Sequence, residues 1–463
     1  MTIPISYFLI DPHPASFHSA TFPQGKAFRL PDKSQFEYPN QEKLMIKTLE
    51  LLPGITLRCF PDRRFKQGCL SFAIVRPMCQ EEAAVNALIP AVLLRGTKKS
   101  PDLRSITLRL DDLYGATLGT QVRRVGDYQT TGLYCAFLED RFALPGDAIL
   151  EPMLNFLREV LLEPVTEEGG FSRAFVESEK KNLIATIESE RNDKRAYAMG
   201  QMIRSMCKED SYGVPRLGEK EAVAAITAQG AYDHFRKILR ESRIDIFYVG
   251  SAPAEEVAKL LMPMLREIDR NYVNLTGQTP FHDVGGADLV EQMDVSQGKL
   301  CMGYVTPVTN RDPDFVSMQV MNTIFGAGMT SKLFMNVREK LSLCYAIGSG
   351  YYGSKGIVTV SAGIDFDKEQ QTRDEIDRQL DAMRNGDITG EELTAAKEAL
   401  LSSLRGTHDS PGSIEGYYAT AALSGMGLSV DAYMEAVQGV TVEDVARMAR
   451  QLKKHTTYFL KGV

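Results

Sequence analysis

The chain has 463 residues, of which 44 % are hydrophobic and 24 % are charged, and its formal net charge is −7. This length predicts two or more domains, and the acidic balance argues against a nucleic acid or an anionic membrane as partner, because binding them needs basic patches. No run approaches the roughly 18–20 apolar residues of a membrane span and no secretory signal is evident, while seven cysteines without a CxxC pair favour reduced thiols in a cytoplasmic protein.

The first predicted elements follow an N-terminal extension, residues 1–45, that is rich in proline and aromatic residues. An apolar strand pattern, "GCLSFAIVRP", begins at Gly68 and leads into the helical segment "EEAAVNALIPAVLLRG", which Gly96 closes. Pro90 stands inside this segment, where a proline removes a backbone donor and costs about 3 kcal/mol. The stretch therefore predicts a buried helix, and the presence of Pro90 inside it needs an explanation.

The chain then repeats the same order of elements after a linker, residues 261–289. A second strand pattern, "GKLCMGYVTP", begins at Gly298, which is 230 residues after Gly68. A helix followed by a strand occurs near Tyr114 and again near Tyr345, 231 residues later. The spacing predicts a duplicated α+β unit with two homologous domains, 46–260 and 290–463, each a mainly antiparallel sheet with helices packed on one face. We expect the two domains to face each other across a cleft.

The second copy contains a longer recognisable signature. The stretch "FGAGMTSKLFMNVREKLSLCYAIGSGYYGSKGIVTVSAGID", residues 325–365, resembles the C-terminal domain signature of the insulinase/pitrilysin peptidases. That signature has a glycine-rich turn, Ser-Arg/Lys-Leu-Phe, Arg-Glu-Lys and a tyrosine seven residues after the arginine. The segment "MDVSQGKLCMGYVTP" resembles the entry strand of the same domain. The resemblance covers the chain from about residue 46 to its end and implies a two-domain peptidase fold.

The first copy departs from this family at its zinc motif, H-x-x-E-H. Counting back from "RGT" at Arg95–Thr97, the first His, the Glu and the second His fall on Ala87, Pro90 and Ala91. Zinc needs two imidazoles on one helical face, and a carboxylate beside them activates the water. The resemblance therefore implies that this chain holds no metal and needs no cofactor of its own.

Other residues do not supply a replacement site. The family's third ligand, a glutamate, falls near Ala185 and Thr186 in "KKNLIATIESER", with Glu188 and Glu190 nearby. No two histidines are spaced i,i+3 or i,i+4, and the six are His13, His18, His234, His282, His408 and His455. A novel zinc site built from these residues is not expected.

Arg338 and Tyr345 match the Arg/Tyr pair of the family. The resemblance implies that the tyrosine hydroxyl donates to a developing oxyanion and that the guanidinium holds a substrate carbonyl. The alternative is structural, with Arg338 as a charge at a helix end and Tyr345 half buried in the core. The strand "GIVTVSAGID" either pairs with an extended peptide or is an ordinary strand of the sheet.

Some family members work as heterodimers, and this chain resembles the subunit that lacks the zinc motif. The resemblance predicts a non-catalytic cytoplasmic subunit that binds peptide, supplies Arg338 and Tyr345 in trans and has no peptidase activity alone. Its partner would be an intact H-x-x-E-H subunit carrying the zinc, with a homodimer as the assembly of the chain alone. "RRFKQG" at Arg63–Gly68 suggests a narrower likeness to bacterial members associated with the 5-aminopentanol modification of elongation factor P. The other hypothesis is a structural scaffold without a role in proteolysis.

Overall fold

The computed structural model describes residues 46–277 and 281–463, and the predicted N-terminal extension lies outside them. The first half of the chain forms strands and helices in the order β1 (Lys47–Leu52), β2 (Ile55–Pro61), β3 (Gln67–Pro77), α1 (Gln80–Leu93), α2 (Leu103–Asp112), β4 (Thr117–Val125), β5 (Tyr128–Leu138), α3 (Leu150–Leu162), β6 (Thr166–Glu167), β7 (Gly170–Phe171), α4 (Arg173–Asn192), α5 (Lys194–Met206), α6 (Lys220–Ala225), α7 (Ala228–Glu241), β8 (Arg243–Gly250) and α8 (Ala254–Glu267).

The first element of the second half is a strand that begins at Asp288, within the predicted linker. Its elements are β9 (Asp288–Gln292), β10 (Gly298–Val305), α9 (Phe315–Phe325), a π-helix (Leu333–Lys340), β11 (Cys344–Tyr352), β12 (Ile357–Ile364), α10 (Glu369–Arg384), α11 (Gly390–Gly406), α12 (Pro411–Ser424), α13 (Val430–Gly439), α14 (Val442–Gln451) and β13 (Lys453–Lys461).

The connection between the halves is shorter than the predicted linker, 261–289. Helix α8 continues to Glu267 because Leu261, Met264 and Leu265 are buried in the core of the first half. The connection therefore spans residues 268–287, of which 278–280 lie outside the described part of the chain.

The two sheets have the same topology. Five strands of the first sheet follow the order β2-β8-β3-β5-β4, and the second sheet follows β9-β13-β10-β12-β11. The pairs β2/β8 and β9/β13 are parallel and all other neighbours are antiparallel. The first sheet has one additional edge strand, β1, paired with β2. The α+β class with two mainly antiparallel sheets is thus confirmed, and Gly68 and Gly298 lie at the start of equivalent central strands.

Each half packs its own helices on one face of its sheet. In β3, Leu70, Phe72 and Ile74 point into a core formed with α1, α3, α7 and α8. The intervening residues of the same strand are also buried, including Cys69 and Ser71. A strand that is apolar on both faces must be covered twice, and the second cover comes from the other half of the chain.

The halves exchange helices to provide this cover. Helix α5 of the first half places Met202 and Met206 against the second sheet, beside Cys301 and Tyr458. Helix α12 of the second half places Ile414 against the first sheet, in a cluster with residues of β2, β3 and β8. The halves are therefore packed against each other through α5 and α12, and the predicted cleft between them is wrong, because the outer face of each sheet needs an apolar cover.

The cysteine side chains are free thiols, and most of them lie in the core. All seven cysteines are unpaired and six of them are buried. Burial raises the pKa of the Cys59 and Cys69 thiols to about 12, so both are protonated at neutral pH. Within residues 46–277 and 281–463, no helix has the length and apolarity that a bilayer crossing requires.

Candidate functional site

Helix α1 carries the three positions that the family resemblance assigns to the zinc motif. Ala87 and Pro90 are buried and Ala91 is partly exposed. The helix packs against α4, α6 and α7, so neighbouring helices surround it. Methyl groups and a pyrrolidine ring fill these positions, and none of them can donate electrons to a metal.

Pro90 is accommodated by a specific hydrogen bond. A proline cannot donate to the carbonyl four residues earlier, which here belongs to Asn86. The hydroxyl of Thr131, on strand β5, donates to this carbonyl at 2.6 Å. Because the Asn86 carbonyl has a donor from the sheet, the helix continues past Pro90 to Leu93 without an unsatisfied buried acceptor.

Helix α4 does not supply the third ligand either. Ala185 is exposed and Thr186 donates to the Asn182 carbonyl of its own helix. The two nearby glutamates pair with cations, Glu188 with Lys220 and Glu190 with Arg216. In the part of the chain that the structure describes, no three His, Cys, Asp or Glu side chains lie together as a metal site.

Arg338 lies in the π-helix that follows α9. In this helix the Leu341 amide donates to the Asn336 carbonyl, five residues earlier, and such turns are frequent at functional sites. The guanidinium stacks 4.7 Å above the Phe334 ring and is 3.6 Å from Glu339. With 41 % of the side chain exposed, it is held by the ring but remains accessible.

Tyr345 lies one short turn after Arg338, at the start of edge strand β11. The register against β12 shifts between Cys344 and Ala346, so Tyr345 is the bulged residue. Its ring is 61 % exposed, and the half-buried alternative from the sequence is therefore wrong. The bulge turns the side chain out of the sheet and into solvent.

The Tyr345 hydroxyl donates to Asp365 Oδ1 at 3.0 Å. This bond and the charge of the carboxylate raise the pKa of Tyr345 above its ordinary value of 10.0, so the phenol is protonated at neutral pH. Lys368 Nζ lies 3.2 Å from the other oxygen of Asp365. Sequence reasoning missed Asp365 and Lys368, although the β11–β12 register that brings residue 365 beside Tyr345 follows from the hairpin pattern.

Apolar side chains are exposed in the same part of the second half. Contiguous exposed apolar patches mark interaction sites, whereas single exposed apolar residues are common. Four of them occur between residues 329 and 366, and they are Met329, Met335, Leu341 and Phe366. These residues have no helical or strand periodicity, so sequence patterns do not predict their exposure.

Strand β12 is the predicted candidate for peptide addition, and the structure excludes it. It pairs with β10 on one side and with β11 on the other. No backbone edge of β12 is therefore open, and of its two interpretations the ordinary sheet strand is correct. The structure thus places Arg338 and Tyr345 on either side of one short turn of the second half, both exposed, and Ala87, Pro90 and Ala91 in a packed helix of the first.

Comparisons with known proteins relate the chain to one group of peptidase homologues. A family model described as the peptidase M16 inactive domain matches residues 225–400, which include Arg338 and Tyr345. The probable inactive metalloprotease YmfF of Bacillus subtilis (strain 168) is 29 % identical over 409 residues, covering 88 % of this chain and 96 % of that protein.

Two solved structures share the fold over nearly all of their length. A conserved protein from Enterococcus faecalis V583 is 26 % identical with a TM-score of 0.84, covering 90 % of this chain and 99 % of that one. The peptidase M16 inactive domain from Pseudomonas fluorescens is 19 % identical with a TM-score of 0.76, covering 90 % of this chain and 98 % of that one. The chain is thus similar over most of its length to insulinase-type (M16) peptidase homologues described as inactive, and its own sequence contains no H-x-x-E-H motif.

Proposed function

We propose that this chain is the non-catalytic subunit of a heterodimeric zinc peptidase of the cytoplasm. It binds peptide and supplies Arg338 and Tyr345 in trans to a partner subunit that carries the intact H-x-x-E-H motif. The observation that supports this proposal is the exposure of both side chains, one on each side of a short turn, in a chain whose own motif positions carry no metal-binding side chain. The zinc belongs to the partner alone.

The chemistry of the two side chains fits this role. A peptide carbonyl gains negative charge as it is hydrated, and a neutral phenol can donate a hydrogen bond to that oxygen. The raised pKa of Tyr345 keeps this proton in place at neutral pH. The Arg338 guanidinium is an always-charged donor that can hold a second carbonyl of the same peptide.

The stretch of sequence around Arg338 and Tyr345 also contains exposed apolar residues. Met329, Met335, Leu341 and Phe366 offer apolar surface that a partner or a peptide would remove from water. A scaffold without a role in proteolysis would also need an interface. Such a scaffold would not need an accessible arginine and tyrosine.

The experiment is a kinetic comparison of variants assembled with an H-x-x-E-H subunit of the same family. Tyr345→Phe removes one hydroxyl and should lower turnover by about 10²–10³, the loss expected for one oxyanion donor. Arg338→Ala should weaken substrate binding more evenly, because the guanidinium holds a carbonyl in both the ground and transition states. Activity of the complex should be sensitive to chelators, and the chain alone should be inactive.

Tyr114→Phe is the matched control. Tyr114 is an exposed tyrosine of the first half whose hydroxyl donates to a carboxylate, Asp147. This variant should leave turnover unchanged. Full turnover by Tyr345→Phe in an assembled complex would contradict the proposal and favour the scaffold. The narrower likeness to proteins associated with elongation factor P modification stays a prediction.

A further inference from the structure

A chain of contacts connects Tyr345 back to Arg338. The Tyr345 hydroxyl donates to Asp365, and Asp365 pairs with Lys368. Lys368 Nζ also donates to the Ser342 carbonyl at 3.2 Å, and the Ser342 amide donates to the Arg338 carbonyl at 3.1 Å. Asp365 and Lys368 thus tie the tyrosine ring to the turn that separates it from the arginine.

These contacts occupy the group that the proposed function requires. A phenol has a single proton to donate, and in this structure that proton is directed to Asp365 Oδ1. Hydrogen bonds from a neutral hydroxyl to an ionised carboxylate are among the stronger ones. While this bond is made, the Tyr345 hydroxyl cannot donate to a substrate oxygen.

We propose that Asp365 is a latch that holds the Tyr345 hydroxyl in a resting state. Lys368 tunes the latch, because its ammonium group lies against the other oxygen of the same carboxylate and offsets part of its negative charge. A cationic group that engages Asp365 when the partner or the peptide binds would release the hydroxyl toward the substrate. The inference rests on the proposed function and adds a regulation step to the same site.

The latch makes a prediction for the isolated chain that does not depend on any activity. Asp365→Asn removes the negative charge and should lower the pKa of Tyr345 toward that of an ordinary tyrosine. Lys368→Met removes the opposing positive charge and should raise it further, since Lys368 lowers the pKa of Tyr345 in the native chain. Titration of phenolate absorbance, or nuclear magnetic resonance of isotope-labelled tyrosines, would measure both shifts.

Two further variants make the titration specific. Subtraction of the Tyr345→Phe signal isolates the one tyrosine of interest. Asp367→Asn removes a neighbouring carboxylate of the same turn for which no contact with Tyr345 is found, and it should leave the titration unchanged. An Asp365→Asn chain whose Tyr345 titrates as in the native protein would overturn the latch, whatever the kinetics show.

Kinetics in the assembled complex then separate the latch from the proposed function. Asp365→Asn should raise turnover a few-fold, because the hydroxyl no longer has to leave a carboxylate. A loss of turnover would overturn the latch and make Asp365 a positioning residue instead. If Tyr345→Phe keeps full turnover while Asp365→Asn lowers the Tyr345 pKa, the proposed function fails although the hydrogen bond is real.

Discussion

The two halves differ most informatively at one equivalent turn, between α2 and β4 in the first and between the π-helix and β11 in the second. Both turns are closed by an equivalent backbone hydrogen bond. The Ala116 amide donates to the Leu110 carbonyl six residues earlier, and the Leu343 amide donates to the Val337 carbonyl in the same way. The backbone frame is therefore shared.

This frame fixes which residues correspond. Aligning the hydrogen bonds pairs Asp111 with Arg338 and Leu118 with Tyr345. The predicted helix-to-strand junctions near Tyr114 and Tyr345 therefore correspond, but the two tyrosines do not, because Tyr114 lies inside the first turn and Tyr345 lies after the second. The Arg/Tyr pair is a property of the second half alone. One backbone motif therefore carries no arginine or tyrosine at these positions in the first copy and carries the two candidate residues in the second.

The equivalent β-hairpin turns of the two halves carry side chains of opposite charge, and these side chains form a contact between the halves. The β4–β5 turn carries Asp127 and the β11–β12 turn carries Lys355. Lys355 Nζ lies 3.1 Å from Asp127 and 2.7 Å from Asp210, and the three side chains are buried. Opposite charges on equivalent tips thus form an ion-pair cluster that holds the halves together.

The largest expected effect comes from breaking this cluster. Lys355→Met removes the cation and leaves two carboxylates buried, which should lower the free energy of unfolding by roughly 3–5 kcal/mol. Denaturant unfolding would measure the loss. Lys368→Met, at a partly exposed lysine that pairs with a carboxylate, is the control and should cost far less.

A second substitution distinguishes loss of the ion pair from general misfolding of the variant. Adding Asp210→Asn to Lys355→Met removes the charge of one of the two buried carboxylates and should restore part of the stability. If Lys355→Met were as mild as the control, the cluster would not be what joins the two hairpins.

An intermediate effect is expected at the proline that distinguishes α1 from α9, which has none. Thr131→Val removes the donor to the Asn86 carbonyl and should cost about 1–3 kcal/mol, the penalty of an unsatisfied buried acceptor. In a Pro90→Ala background the helix regains its own donor, so the same change should cost less. A double-mutant cycle of unfolding free energies measures the coupling, and additive losses would show that Thr131 does not compensate for Pro90.

The smallest effect concerns the turn itself. Gly115 has φ +70° and Ser342, its equivalent, has φ +50°. A Cβ at Gly115 would meet nothing within 4 Å, so Gly115→Ala should cost only the left-handed backbone, about 1 kcal/mol. Gly119→Ala, equally open but without a positive φ, is the control and should not destabilise. Equal thermal midpoints for the two variants would mean that the first turn tolerates a side chain as the second does.

Local patterns in the sequence predicted the strands, the duplication and the candidate site residues. Alternating and continuous apolar runs predicted the strands and the duplication, because periodicity depends only on neighbours along the chain. The absence of zinc ligands followed from residue chemistry, since alanine and proline side chains cannot bind a metal. The family signature identified Arg338 and Tyr345 as candidates without any knowledge of their surroundings.

Only the tertiary structure decided which distant groups meet. The buried strand β3 indicated that both faces of the sheet are covered, but not that α12, more than 330 residues later, covers one of them. The donor to the Asn86 carbonyl and the acceptor for the Tyr345 hydroxyl lie on other strands or beyond them. A hydrogen bond or an ion pair between elements has no local period, because the fold brings its two partners together only after each element has formed.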